Sequence, residues 1–427
     1  MLTATDKKTS LIERFQQIRA KMVELCAPLE IEDYVVQGCA EVSPPKWHLA
    51  HTTWFWERFI LQNNLPHYQP YHPQYESLFN SYYNTYGEQF IKGKRGNLSR
   101  PTVKEALAYR QAITEQVSQY LEQAPQDKWE ELELLCEIGL VHEEQHQELL
   151  MADIKYNFYC NPLQPAYRTD LPQAQHSNTP PLAWHEYDEG IVTIGHTGDD
   201  FAIDIEMPAH RQFVEPYALA NRLVTCGEYL AFIEDGGYCD SRFWLADGWK
   251  WINEHNIGSP LYWDQQEDGS WQIFTLGGPR PLNPAEPVVH LSYFEAHAFA
   301  LYRGARLPTE VEWENAAAPL AAGYSSLPGN HLESDYLHPT PAQPSDELQQ
   351  LFGNVWEWTQ SVYRPYPGYK GKYEGVGEYN GKFMMNQLVM RGGCAVTPRD
   401  HLRPTYRNFY YPHNQWQFGG MRLAKTL

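Results

Sequence analysis

Thiol pairs, positive charge and long apolar runs are all scarce in this 427-residue sequence. Its seven cysteines (Cys26, Cys39, Cys136, Cys160, Cys226, Cys239 and Cys394) are odd in number, scattered, and form no C-x-x-C. That excludes a disulfide framework and a thiolate zinc site, and it fits reduced thiols in a cytoplasm. Lys and Arg total 33 against 53 Asp and Glu, a formal charge of −20. So acidic a chain is a poor partner for nucleic acid or an anionic membrane. No stretch approaches the roughly 18 apolar residues of a membrane span. The opening MLTATDKKTS is polar, so no secretory leader is expected.

What is present is a chain too long for one ordinary core, so two domains are expected. Residues 7–26 carry Leu11, Ile12, Phe15, Ile18, Met22 and Val23 at helical spacing. Pro44-Pro45 precedes a second helix from Trp47 to about Gln62, bearing His48, His51, Trp54, Phe55 and Phe59. Residues 63–100 are irregular and rich in Tyr, Pro, His and Gly. Pro101-Thr102-Val103 opens a third helix to about Glu122, and Asp127 is placed to cap a fourth that runs to about Phe158. Four helices predict a four-helix bundle over 1–158, an architecture that commonly builds metal sites from inward-facing side chains. Residues 159–185 read as a linker. From 186 the texture changes to short strands between Gly, Pro, Asp and Asn turns. Helices are expected there only at about 225–235 and 292–302, with a proline-bearing surface loop over 324–347.

Within the fourth helix stands His142-Glu143-Glu144-Gln145-His146. Residues four apart lie about 40° apart on one helix face. Leu135, Ile138, Leu149 and Asp153 share that direction, so both imidazoles are expected to face the interior. Such a pair holds one transition metal, or else consists of two core histidines bonded to neighbours. The same residues match H-E-x-x-H, with Glu143 as the general base of a zinc protease. Leu149 stands where the extended form of that motif needs Gly, and no Glu occurs from 149 to 185. A third ligand is therefore sought elsewhere. His48 and His51 are three apart, share a helix face, and are not distinguished by chemistry alone.

The second half carries RLPTE-x-EWE (306–314), GNVWEWT (353–359), RGG (391–393) and GxR (420–422). Physically these are tight turns with tryptophans packed on glycine-lined backbone. In this order they resemble the formylglycine-generating-enzyme/sulfatase-modifying domain, a C-type-lectin-like fold, across nearly all of 186–427. The N-terminal half resembles a DinB-like bundle. HLAHTTWFWE (48–57), HEEQH (142–146) and this fusion together resemble the iron-dependent sulfoxide synthases of ergothioneine biosynthesis (EgtB-type), over almost the full chain. The resemblance implies an α+β protein and a cytoplasmic enzyme that uses Fe(II) and O2. The reaction joins hercynine (Nα-trimethylhistidine) to cysteine or γ-glutamylcysteine and yields a sulfoxide. It implies His51, His142 and His146 as ligands and leaves His48 structural.

The resemblance also maps Tyr82 and Tyr83, in Phe79-Asn80-Ser81-Tyr82-Tyr83, to a catalytic role in the oxygen chemistry. Two interface tyrosines would look the same in sequence. Gln145, Asn408 and Phe409 map to hercynine contacts, an aromatic ring beside a trimethylammonium giving cation–π attraction. Tyr410 stands where the γ-glutamylcysteine-using branch has Asp, which implies free cysteine as the thiol. Arg95 and Arg100 lie in a basic loop that suits a substrate carboxylate or simply solvent. With ligands before residue 150 and substrate contacts near 408, both halves are expected to be needed. Three alternatives remain. An ovothiol-type histidylcysteine sulfoxide synthase or a selenium analogue is disfavoured by the absence of a methyltransferase stretch. A formylglycine-generating enzyme needs paired late cysteines, but Cys394 is the only one after Cys239. A lectin-like binding protein leaves the histidines unexplained.

Overall fold

The computed structural model describes residues 4–174, 179–321, 327–371, 375–378 and 380–427. The chain divides into two compact units. One comprises Met1–Asn161, Asp199–Ile203 and Gly371–Lys382; the other comprises Pro162–Gly198, Asp204–Lys370 and Phe383–Leu427.

The first unit is helical: α1 (Ala4–Cys26), α2 (Pro45–Trp56), the short α3 (Tyr75–Phe79), α4 (Val103–Gln123) and α5 (Trp129–Tyr159). The stripe on α1 buries Leu11, Ile12, Phe15 and Met22, while Val23 stays exposed. Pro45 sits in the first turn of α2, where its fixed φ helps and its missing N–H is no loss. All twelve residues of α2 are buried, so it is the central helix of the unit. It does not run on as an α-helix to Gln62. Glu57–Gln62 widens into a π-helical turn. There the buried Glu57 carboxylate accepts bonds from the Tyr109 and Tyr68 hydroxyls at 2.5 and 3.1 Å and from the Tyr71 amide at 2.6 Å.

Helix α4 begins at Thr102 with a reciprocal cap. The Glu105 amide donates to the Thr102 hydroxyl, and the Thr102 amide donates to the Glu105 carboxylate. Asp127 does not cap α5. It lies inside a 3₁₀ turn, Gln126–Lys128, so its backbone is already helical and cannot adopt the extended cap conformation. Lys128 holds that position without a side-chain bond, and Glu130 and Glu131 supply first-turn negative charge instead. Leu135, Ile138 and Leu149 are only half-buried, while His142, His146 and Asp153 on the same side of α5 are buried. The interior stripe is therefore more polar than the periodicity suggests.

The described residues of the second unit form four small sheets. Strands β1 (Trp184–Tyr187), β4 (Tyr217–Ala220) and β12 (Ala424–Thr426) form one, in the order β1-β4-β12. Strands β2 (Gly190–Ile194) and β3 (His210–Val214) pair alone. Strands β5 (Trp263–Gln265), β6 (Trp271–Thr275) and β7 (Gly278–Pro281) form a meander. The fourth sheet runs β10-β9-β8-β11, from β8 (Trp356–Val362), β9 (Leu388–Arg391), β10 (Asn408–Tyr410) and β11 (Gly419–Gly420). Among the strands of the described residues only the β8/β11 pair is parallel. Among the described residues four α-helices accompany these strands, not two: α6 (Cys226–Glu234), α7 (Ala246–His255), α8 (Tyr293–Tyr302) and α9 (Glu310–Ala321).

Helix α9 escapes a hydrophobicity reading because its buried face is acidic. Arg407 pairs with Glu310, Arg306 with Glu312 and Arg391 with Glu314. Trp356 and Trp358 are buried on β8, and Glu357 between them pairs with buried Arg422. Gly353 sits at φ +73, where a Cβ would meet the Asn330 carbonyl oxygen at 2.2 Å, so only glycine fits that turn. In the segment expected to be a linker, the Tyr167 amide donates to the Leu276 carbonyl, and 175–178 lie outside the described residues.

Candidate metal centre

Helices α2 and α5 pack side by side and bring three imidazoles together. The nearest ligand atoms of His51, His142 and His146 all lie within 4.8 Å of one another. His51 Nε2 is 3.2 Å from His142 Nε2. Ring centroids are 5.0 Å apart for His51 and His142 and 4.7 Å for each of the other two pairs. His51 Nδ1 lies 2.5 Å from the Phe79 carbonyl. A carbonyl only accepts, so Nδ1 carries the proton and Nε2 turns a lone pair toward His142.

Burial lowers the proton affinity of all three rings. It holds the His142 pKa at about 3, and it drives His51 and His146 well below the usual value, helped by the charge each ring would place beside the others. Three neutral imidazoles in a site closed to water are a good donor set for a transition metal, and the inward-facing nitrogens suit a shared cation.

An aromatic shell surrounds the cluster. Trp47 stacks on His51 at 4.4 Å and 11°, and Phe55 stacks on His142 at 4.6 Å. The Arg95 guanidinium lies 3.3 Å from the Trp47 ring centroid on this stack. Arg95 is buried and donates to the Ser43 and Ser81 hydroxyls at 2.9 and 3.0 Å, and burial lowers its pKa to about 9. Arg100 is exposed with its guanidinium on the Ser99 carbonyl, so of the two arginines only Arg95 touches this shell.

Tyr83 is fully buried against Trp54 and Phe59, with Phe55 further off, and Tyr82 packs beside it at a tilt, half-buried. Asn80 fixes this turn by donating to the Tyr83 carbonyl and accepting from its amide. Gln145 is half-buried on α5 next to His146. In the second unit, Phe409 on β10 stacks face to face on Tyr363 at 4.0 Å. Asn408 is buried and accepts the Phe409 amide, and Tyr410 packs edge-on against Trp416.

Glu143 is not available as a general base. Arg19 bonds it at 3.0 Å, Arg110 closes on its other oxygen, and Trp56 Nε1 donates at 2.9 Å. Burial alone would raise its pKa, but the two guanidinium groups reverse that and lower it. His48, expected to be structural, bonds within the site. His48 Nδ1 lies 2.9 Å from His146 Nδ1, and His48 Nε2 lies 3.0 Å from Asp153 Oδ2. The usable sequence signal was Asp153 on the face of His142 and His146.

Comparison with known proteins agrees with this architecture. Residues 14–150 match the DinB superfamily, and residues 185–427 match the sulfatase-modifying factor enzyme 1-like domain. The hercynine oxygenase of Mycolicibacterium thermoresistibile is 30% identical over 407 residues, covering 90% of this chain and 87% of that protein. That of Mycolicibacterium smegmatis is 29% identical over 408 residues, covering 90% and 91%. That of Mycobacterium tuberculosis is 35% identical over 253 residues, covering 55% and 58%. An α+β chain that joins a DinB-type helical bundle to a sulfatase-modifying-type domain, it belongs to the hercynine oxygenase family of ergothioneine biosynthesis.

Proposed function

We propose that this protein is an Fe(II)- and O2-dependent sulfoxide synthase that joins hercynine to cysteine. The observation behind the reading is the convergence of His51, His142 and His146 in a buried, neutral cluster, in a chain of the hercynine oxygenase family. Iron held there supplies redox chemistry with O2 and favours the thiolate form of a thiol bound to it. The balance is one C–H and one S–H lost, one C–S bond formed, one oxygen atom placed on sulfur and the other released as water.

The chain's own groups divide the remaining work. Trp47 and Phe55 hold His51 and His142 by stacking and keep water from the cluster. Tyr82 and Tyr83 are the phenols assigned to proton delivery in the oxygen chemistry. Gln145, Asn408 and Phe409 are assigned to hercynine, with Phe409 facing the trimethylammonium group. Arg95, or Arg100 from the same loop, takes the cysteine carboxylate. Tyr410 offers no charge to a γ-glutamyl amine, so cysteine is the preferred thiol. The enzyme works in a reducing cytoplasm, without nucleic acid or membrane.

The test loads the protein with Fe(II) under anaerobic conditions and compares His51→Ala, His142→Ala and His146→Ala with the parent. Each change should remove stoichiometric iron and oxygen-dependent turnover while leaving a cooperative fold. Full iron and turnover in His51→Ala would reject the assignment and move the third ligand to His48.

A further inference from the structure

The bonds around His48 assign it a role that its sequence position does not reveal. The Asp153 carboxylate accepts the Ser43 amide at 2.7 Å and faces His48 Nε2 at 3.0 Å. A carboxylate has no proton to give, so His48 Nε2 donates. A one-proton imidazole then presents a lone pair at Nδ1. That lone pair faces His146 Nδ1 at 2.9 Å, so His146 Nδ1 must be the donor. The proton on His146 is thereby fixed at Nδ1, and its Nε2 is left with the free lone pair. Every member of this chain is buried: His48 is 1% exposed, His146 6% and Asp153 3%.

We propose that Asp153 and His48 form a two-step relay that orients His146 and raises its basicity as a metal ligand. His48 is a positioning residue and not a fourth ligand, because both its ring nitrogens are engaged. His51 reaches the same state by a shorter route, with its Nδ1 on the Phe79 carbonyl. The two ligands thus differ in kind: one is backed by a neutral carbonyl, the other by a carboxylate passed through a second imidazole. Metal-bound histidines generally depend on such backing, and its loss weakens metal binding about 10- to 100-fold. The inference rests on the proposed metal site at His51, His142 and His146.

The experiment measures metal binding directly, apart from turnover. Fe(II) affinity is titrated anaerobically against a chromogenic chelator for the full chain and for Asp153→Asn, His48→Phe and His48→Gln. The visible spectrum of Co(II) in the same proteins reports ligand geometry, and thermal melting reports folding. Asp153→Asn keeps shape and removes charge, so it tests the relay even if His48→Phe fails to fold. His48→Gln keeps one acceptor and one donor. The relay predicts about 10- to 100-fold weaker Fe(II) binding in Asp153→Asn. It also predicts a shifted Co(II) spectrum, an unchanged melting temperature, and partial rescue in His48→Gln relative to His48→Phe. Parent-like affinity and spectra in Asp153→Asn and His48→Gln would overturn the relay while leaving the metal site standing. A parent protein that binds no metal, or binds it equally well in His51→Ala, would overturn the site itself.

Discussion

At the residue scale, Glu143 stands where a metalloprotease would place its base, yet two guanidinium groups and an indole N–H close over it. Its work is to neutralise Arg19 and Arg110 in the interior. Glu143→Gln should cost roughly 3–5 kcal/mol of stability, because it leaves two buried cations without their counter-ion. Urea unfolding would read this; a loss under about 1 kcal/mol, the worth of a surface pair, would contradict it. The tyrosine pair is tested by Tyr82→Phe and Tyr83→Phe. The proposed proton delivery predicts that loss of either hydroxyl lowers sulfoxide formation and diverts thiol to sulfinic acid, as read by mass spectrometry of products. Unchanged rate and product ratio in both variants would leave them a packing role. His142 and His146 were legible because helical spacing alone aligns them. The bonds that set the tautomers of His51 and His146 were not, since Phe79, His48 and Asp153 come to them only through the tertiary fold.

At the scale of elements, the crossing of α2 and α5 depends on Gly139. A Cβ there would lie 2.7 Å from Trp56 and 3.1 Å from Phe55. Two effects oppose each other in Gly139→Ala. Helix propensity favours alanine by about 1 kcal/mol, while forcing a methyl into a packed aromatic contact costs about 1–3 kcal/mol. Because the neighbours are buried rings and not flexible chain ends, the steric cost wins. The variant should melt at a lower temperature, and a higher one would show that the helices separate freely. The four long helices described in the first unit followed from apolar spacing and proline placement, whereas the cap expected at Asp127 did not form. The π-helical turn at Glu57–Gln62 did not, because it accompanies bonds to Tyr68, Tyr71 and Tyr109, which no local pattern encodes. Helix α9 was hidden for a related reason: Glu310 and Glu314 are buried against Arg407 and Arg391 from far along the chain, and Glu312 against nearby Arg306.

At the scale of the whole molecule, acid stability draws on paired carboxylates. Burial would raise the Glu286 pKa, but His338 and Arg280 outweigh it and lower the value from 4.5 to about 2. A depressed folded-state pKa gives stability that is present above the unfolded value and lost as pH falls. This pair therefore contributes above about pH 4.5 and fades toward pH 2, with roughly 3 kcal/mol at stake. Glu286→Gln should be less stable than the parent at neutral pH by that order, and the gap should narrow as pH falls from 4.5 to 2. A gap constant with pH would contradict the linkage. Substrate choice also belongs to this scale. Under the proposed role of Tyr410, the charge-assisted bond it does not offer to a γ-glutamyl amine is worth on the order of 1.5–3 kcal/mol, about a tenfold to hundredfold preference. Competition at equal concentrations should favour cysteine by kcat/KM, and a preference for γ-glutamylcysteine would free Tyr410 of this role.

The most direct measurement is a single turnover of the Fe(II)-loaded full chain. Hercynine and cysteine are added anaerobically, heavy-isotope O2 is admitted, and the products are weighed by mass spectrometry. The expected product is one hercynine–cysteine adduct, lighter by two hydrogens than its parts and carrying one labelled oxygen on sulfur. Oxidation of cysteine alone, with hercynine recovered unchanged, would contradict it.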